Sequence, residues 1–209
     1  MGATLAISTC GPQLEVALRL ELDAAPSVVR LAGGSPRSTL LLAAIDLLAE
    51  DAGCVPSAIV RVVVSRGPGS FTGIRAGLAT AAGLQTATGS SPLAYDSLTV
   101  QAARCSHSGT VWAAQPGRRG EVYARAFRVE PQRPPVADGE IEILAIAKLA
   151  ERGPWVAAES LDLGPAKRLA PSRGAAEALL ELERLGVPSD PVEPLFVEGP
   201  PFHGGGGRG

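Results

Sequence analysis

Hydrophobic and polar positions change their period several times along the chain, and each change marks an element. Residues 4–9 (Thr-Leu-Ala-Ile-Ser-Thr) read as a buried strand and Cys10-Gly-Pro-Gln13 as a turn. Leu14, Val16, Leu18 and Leu20 then alternate with Glu15, Arg19 and Glu21 as a half-buried second strand, so the pair is a hairpin. Residues 27–31 follow the Asp23-Ala-Ala-Pro26 turn as a third strand. Gly33-Gly-Ser-Pro36 opens a helix, with Ser35 as N-cap and Pro36 at the first helical position, that runs to about Ala52 and stops at Gly53. On it Leu41, Ile45 and Leu48 form one stripe and Leu40, Ala44 and Leu47 an adjacent one, leaving Thr39, Asp46 and Glu50 as a polar edge. That is wider than the ~100° stripe of an ordinary surface helix. Two readings fit: a helix sandwiched inside its own domain, or one that covers its own sheet and also meets another chain.

The run Ile59-Val-Arg-Val-Val-Val-Ser65 predicts a central parallel strand. It feeds Arg66-Gly-Pro-Gly-Ser-Phe-Thr-Gly73 and a small-residue helix from about Ile74 to Thr86. Further on, residues 92–95 predict a short strand, and Ser97 caps a helix to about Cys105. Residues 110–114 and 121–129 flank the Gln115-Pro-Gly-Arg-Arg-Gly120 turn as a second hairpin. Residues 131–139 read as a loop, 143–151 as a helix, 155–158 as a strand, 175–185 as a helix and Leu195-Phe-Val197 as a short strand. Two successive series of hairpin, helix, strand and helix predict two α/β lobes, residues 1–96 and 97–199, the second reduced, followed by a flexible glycine-rich tail at 200–209.

Composition narrows the function classes. The 209 residues are 45% hydrophobic and 19% charged with a net charge of -2, which excludes both a disordered chain and a broad basic nucleic-acid surface. Any RNA would be held through a partner. The longest apolar run, residues 40–45, is far short of the ~20 residues that span a bilayer, and residues 1–10 lack a basic segment leading into an apolar one, so a cytoplasmic chain is expected. Three cysteines and two histidines are too few and too scattered for a zinc site or a disulfide framework. Cys105 and His107 are close, but a spacing of two at a helix end points their side chains apart, so no catalytic dyad and no metal site are expected.

The candidate chemistry lies in the glycine loop. Gly67, Gly69 and Gly73 with Ser70 and Thr72, between a strand and a helix N-terminus, have the composition that presents backbone N–H groups to a phosphate. No lysine is near, and the dinucleotide-binding Gly-x-Gly-x-x-Gly spacing is absent, so the same residues also read as a tight turn with Phe71 as a packing anchor. Gly73, Gly77 and Ala81 fall at four-residue steps and form a flat strip that allows close approach, either of a helix from another chain or of an element of this one.

The run Ser65-Arg-Gly-Pro-Gly-Ser-Phe-Thr-Gly-Ile-Arg-Ala-Gly-Leu-Ala-Thr80 closely resembles the signature of the TsaB (YeaZ) family, the non-catalytic subunits of the bacterial machinery that installs threonylcarbamoyl on a tRNA adenosine. Leu5-Ala-Ile-Ser-Thr9 with Val16-Ala-Leu18, Arg118-Arg-Gly-Glu-Val-Tyr123 and Pro194-Leu-Phe-Val197 resemble three further segments of that family, in order, over roughly residues 4 to 198. The resemblance implies the two-lobed actin-like (ASKHA, ribonuclease H-like) α/β fold and descent shared with the catalytic subunit TsaD. It implies a scaffold that pairs with itself when alone, binds TsaD, helps recruit the ATPase TsaE and meets tRNA only through the complex, with ATP or ADP bound, if at all, only there. The docking face would lie on the first-lobe helices, through Leu40, Ala44, Leu47, Gly73, Gly77 and Ala81. Three departures stand out: Ser8 where the family commonly has an aspartate, Gln115-Pro-Gly-Arg118 in place of Asp-Ala-Arg, and Pro36 or Arg37 near the place of a histidine that often begins the first helix. An autonomous ATPase or phosphotransferase using the glycine loop is the alternative, and Ser8, which cannot replace a magnesium-holding carboxylate, argues against it. Two isolated histidines, His107 and His203, make a metallopeptidase a poor third.

Overall fold

The computed structural model describes residues 2–32, 37–118, 120–158, 161 and 167–197. In the first sheet β1 (Ala3–Ser8), β2 (Leu14–Arg19), β3 (Ser27–Leu31), β4 (Ile59–Ser65) and β5 (Ser91–Tyr95) lie in the order β3-β2-β1-β4-β5. The β1/β2 and β2/β3 pairs are antiparallel, with Leu5 opposite Leu18, and the β1/β4 and β4/β5 pairs are parallel, with Ile7 opposite Val64. Side chains leave a strand on alternating faces. Leu5, Ile7, Val16, Leu18, Val62 and Val64 therefore enter one core with α1 (Arg37–Asp51) and α2 (Phe71–Thr88), while Ala6, Ala17 and Val63 enter another with α5 (Ala175–Arg184). Burial on both faces is why Val62, Val63 and Val64 of β4 form an apolar run instead of an alternation.

The second sheet repeats the plan with one strand fewer. β6 (Gly109–Pro116), β7 (Glu121–Val129), β8 (Val136–Ala145) and β9 (Trp155–Ala157) lie in the order β8-β7-β6-β9, antiparallel through the first three and parallel between β6 and β9. One face packs on Leu98 and Ala102 of α3 (Ser97–Ala103), and the other, which includes Trp155 of β9, on Leu149 of α4 (Ile146–Arg152). The chain thus has the mixed α/β architecture with two sheets expected from the sequence, the second with one strand fewer.

The two sheets divide near residue 96, but the helical layers do not respect that division. α5, late in the chain, packs on β1, β2 and β4 of the first sheet. The small side chains of Ala6 and Ala17 let it approach, and Leu179 and Leu182 fill the space. At its far end Arg19 and Glu183 form an ion pair whose side chains are each 6% exposed. Arg19 Nη1 also donates to the Leu180 carbonyl at 3.1 Å, and Arg61 Nη1 reaches Glu183 Oε1 at 2.7 Å. At the near end the buried Glu15 carboxylate accepts the Ala176 N–H at 3.3 Å, a negative charge where the helix dipole favours one. α3 is shared, with Val100 turned toward α5 and Leu98 and Ala102 toward the second sheet.

Several expectations are corrected. α2 begins at Phe71 rather than Ile74, because Ser70 is its N-cap and its hydroxyl accepts the Gly73 N–H. Asp96, not Ser97, caps α3, accepting from Leu98 and Thr99 N–H. Residues 131–139 and 143–151 are not a loop followed by a helix: β8 takes 136–145, and the helix is only Ile146–Arg152. The alternation Glu140-Ile-Glu-Ile143 is a period of two, and pairing with β7 uses it. Residues 195–197 form no strand, although Leu195 N–H donates to the Arg66 carbonyl at 2.8 Å. The expected cap at Ser35 with Pro36 and the tail at 200–209 lie outside the described residues. No helix among the described residues is long and apolar enough to cross a membrane.

Removing one member of a buried ion pair leaves an uncompensated charge. Glu183→Ala is therefore expected to lower the unfolding free energy by about 3–5 kcal/mol in urea denaturation, whereas Lys148→Ala, in an exposed pair with Glu151, should cost less than ~1 kcal/mol.

Candidate functional site

The glycine loop joins β4 to α2 and is pressed against the end of β1. Gly69 has φ +144°, and a Cβ there would run into the Cys10 carbonyl; a Cβ on Gly73 would collide with the Thr9 carbonyl. Hydrogen bonds fasten the same contact: Ser70 N–H donates to the Cys10 carbonyl at 2.9 Å, and Thr9 Oγ1 donates to the Gly73 carbonyl at 2.7 Å. On the other side Gly67, with φ +104°, has its carbonyl accepting Ser97 N–H at 2.7 Å, and a Cβ on it would stand 2.5 Å from the Leu195 carbonyl oxygen. Of the five residues expected to cradle a phosphate, Ser70 and Gly73 thus have their N–H groups engaged within the chain, and Thr72 is exposed. The geometry is that of a tight turn that starts the helix hard against the strand.

Behind the loop, Ser65 Oγ lies 3.1 Å from Cys10 Sγ, and the thiol points to the Ser65 carbonyl at 3.3 Å. Burial pushes the Cys10 thiol up, so it stays protonated and unreactive at neutral pH.

The six residues expected on a docking face divide. Leu40 and Leu47 are exposed, at 39% and 56%, and Leu42, which the stripes did not single out, is 63% exposed. Ala44, Gly77 and Ala81 are buried and Gly73 is half-buried. The strip Gly73, Gly77, Ala81 faces the chain's own sheet: a Cβ on Gly77 would stand 2.5 Å from Thr9 Oγ1 and 3.2 Å from Val64 Cγ2. The outward strip is therefore corrected to an internal one, because α2 must lie close to β1 and β4 for its N-terminus to meet the Thr9 and Cys10 carbonyls.

Sequence reasoning also missed an aromatic cluster. Phe71, exposed at the start of α2, packs on Phe196 with ring centroids 5.0 Å apart, and the Arg75 guanidinium lies 4.6 Å from the Phe71 centroid. Phe71 is thus a packing anchor at the surface, against Phe196. The segment carrying Phe196 is laced along β5 and the loop. Tyr95 donates its hydroxyl to the Val187 carbonyl at 2.9 Å, Asp190 N–H donates to the Ala94 carbonyl at 2.9 Å, Asp190 Oδ2 accepts the Asp96 N–H at 2.9 Å, and Arg66 Nε donates to the Glu193 carbonyl at 2.8 Å. Burial, and then the nearby Asp96 carboxylate, raise the Asp190 pKa against the pull of the Asp96 N–H, Arg66 and Arg125.

Ser8 and Gln115, two of the departures noted above, line one cleft between the lobes. Among the described residues no group of three or more His, Cys, Asp or Glu side chains is placed to hold a metal ion.

Residues 37–153 match a family model described as TsaD: tRNA N6-adenosine threonylcarbamoyltransferase. Two solved structures share the fold over nearly the whole chain. YeaZ from Pseudomonas aeruginosa is 24% identical, with a TM-score of 0.74, covering 94% of this chain and 100% of its own. An uncharacterized protein with similarity to peptidase YeaZ from Pseudomonas aeruginosa is 23% identical, with a TM-score of 0.75, covering 95% of this chain and 100% of its own. A sequence comparison with curated proteins finds no match.

Two outcomes follow from this geometry. Gly77→Leu should destabilise the fold itself by about 1–3 kcal/mol or more, seen as a lowered melting temperature, since the side chain must enter the space held by Thr9 and Val64. Asp190→Asn keeps an acceptor for the Asp96 N–H and removes the buried charge. A raised folded-state pKa means that Asp190 contributes fully when protonated and loses that contribution as pH rises through the folded value. The variant should therefore be more stable than the native chain in urea at pH 7, with the gain vanishing below the ordinary aspartate value of about 3.8.

Proposed function

Since the chain belongs to the TsaD family, we propose that it serves as a non-catalytic, TsaB-type assembly subunit of the tRNA threonylcarbamoyladenosine (t6A) synthesis complex, binding the TsaD homologue and helping to recruit the ATPase TsaE. The observation that carries this reading is the exposure of leucines on α1. A helix whose inner stripe (Leu41, Ile45, Leu48) is already buried still presents Leu40, Leu42 and Leu47 to solvent. Leu40 and Leu47, seven residues apart, share one side of α1 while Leu42 lies on the opposite flank, and the Leu40/Leu47 side suits a second helix-bearing chain. Its occupant is a second copy when the chain is alone and the TsaD homologue within the complex.

The chemistry available on this chain supports an accessory role. Its two histidines, His107 and His203, lie outside α1 and 96 residues apart in the sequence. Ser8 supplies no carboxylate to hold magnesium at the end of β1. Nucleotide belongs to the assembled complex, and tRNA reaches this subunit only through its partners.

The test is co-expression with the organism's TsaD homologue followed by size-exclusion chromatography. The native chain is expected to co-elute as a complex. Leu47→Glu combined with Leu40→Glu should leave the circular dichroism spectrum and melting temperature nearly unchanged, because both side chains are exposed, and should abolish both homodimer and co-elution. A double variant that still pairs would sink the proposed face. A native chain that ignores TsaD and turns over ATP alone would sink the accessory role.

A further inference from the structure

Among the described residues, Val187 is the last in chain order whose side chain packs on a core cluster. Its N–H donates to the Leu182 carbonyl at 3.0 Å, and its carbonyl accepts the Tyr95 hydroxyl at 2.9 Å, so it is fixed to α5 and β5 together. Residues 188–197 are different. They form no helix and, apart from a single bridge between Asp190 and Ala94, no strand, and none of them is buried. What holds them is a row of polar links to the edge of β5 and to the glycine loop. Ser189 Oγ accepts the Ala94 N–H at 3.0 Å, Asp190 N–H donates to the Ala94 carbonyl at 2.9 Å, and Asp190 Oδ2 accepts the Asp96 N–H at 2.9 Å. Further along, Arg66 Nε donates to the Glu193 carbonyl and Leu195 N–H to the Arg66 carbonyl, each at 2.8 Å, and Phe196 rests on the exposed Phe71.

We propose that residues 188–197 are a latch, a unit that swings open from Val187 by local unfolding while both sheets stay folded, and that covers the edge of β5 only when closed. Segments that open locally are those with few buried apolar contacts and solvent-exposed hydrogen bonds, and this one has both properties. Its neighbour in the chain has neither. α5 is pinned by the buried Leu179 and Leu182 and by the Arg19–Glu183 pair, so it stays behind when the latch leaves. Pro188, Pro191 and Pro194 hold φ near −65° at every third position and stiffen the segment, which makes it release its links together. One link is also made against like charge. The Asp190 carboxylate stands near that of Asp96, and Arg66 and Arg125 offset the repulsion only in part. Opening uncovers the Ala94 N–H and carbonyl, the Asp96 N–H and the outer side of Phe71. An uncovered strand edge is a template for pairing with another chain, so the latch decides when that edge is available. This goes beyond the assembly role and does not depend on it.

The test is native-state hydrogen exchange of the full chain, followed amide by amide by NMR. The Asp190 and Leu195 amides on the latch, and the Ala94 and Asp96 amides on the body beneath it, should share one protection factor, on the order of 100-fold or more below that of the β4 amides. Ser189→Ala removes one link at the near end. It should lower the protection of Leu195, at the far end, roughly fivefold, the ratio that one hydrogen bond is worth, with the circular dichroism spectrum unchanged. Protection equal to that of β4 at all four amides would mean that the segment leaves only with the whole fold, and would overturn the latch. Loss of protection at Leu195 while Ala94 and Asp96 keep the protection of β4 would mean fraying from one end, and would overturn it equally, as would a Leu195 amide indifferent to Ser189→Ala. Should that variant fail to fold, the four amides of the native chain decide alone.

Discussion

The structure depends on one close contact, between the carbonyls of Thr9 and Cys10 at the end of the first strand and the glycines that begin the second helix. Gly69 and Gly73 have no room for a Cβ, and Gly77, one turn further on, meets Thr9 Oγ1 and Val64 where its Cβ would be. The Ser70 N–H and the Thr9 hydroxyl hydrogen-bond across the same gap. Once α2 is held at that distance, Ile74, Leu78 and Ala81 lie directly on β1 and β4, and α1 is brought alongside with Leu41, Ile45 and Leu48 closing the core. A glycine-rich loop can serve a ligand or serve its own fold. Here two of its N–H groups serve the fold.

The opposite face of the first sheet is closed by a helix from the far end of the chain. α5 fits because Ala6 and Ala17 are small where Leu5, Ile7, Val16 and Leu18 on the other face are large. A buried ion pair at one end and the Glu15 carboxylate at the other fix its position along the sheet. Buried pairs of this kind are weak sources of net stability but penalise misplacement severely, since any sliding of α5 would strand Arg19 or Glu183 in an apolar setting. Residues 187–195 then return along the edge of β5 and the outer side of the glycine loop, which covers the open edge of that strand and brings Phe196 against Phe71.

These constraints leave the first sheet buried on both faces and leave α1 with exposed leucines that have no internal reason. The inner stripe of α1 is used by the fold, and its exposed leucines are not. The surplus apolar surface lies on a helix, where another protein can reach it.

The sequence by itself determined the elements whose periodicity has a single physical outcome. Ser27–Leu31, Ile59–Ser65 and Glu121–Val129 are strands at the residues read from the pattern, because β-branched and alternating runs bounded by turns have few other uses. The block from Ser65 to Thr80 also pointed to the fold, since glycines and a capping serine at those spacings specify a strand, a turn and a helix. The sequence could not determine direction. Gly73, Gly77 and Ala81 make the same flat strip whether it faces inward or outward, and only the position of Thr9, some 64 residues away in the chain, decided that it faces inward. Ile141 and Ile143 suit a helix or a strand, and the free edge of β7 decided for a strand. The exposure of Leu40, Leu42 and Leu47, the meeting of Phe71 with Phe196, and the shared cleft of Ser8 and Gln115 are likewise products of packing. Each joins residues distant in sequence, and no local pattern encodes a contact made only when two lobes and a returning strap come together.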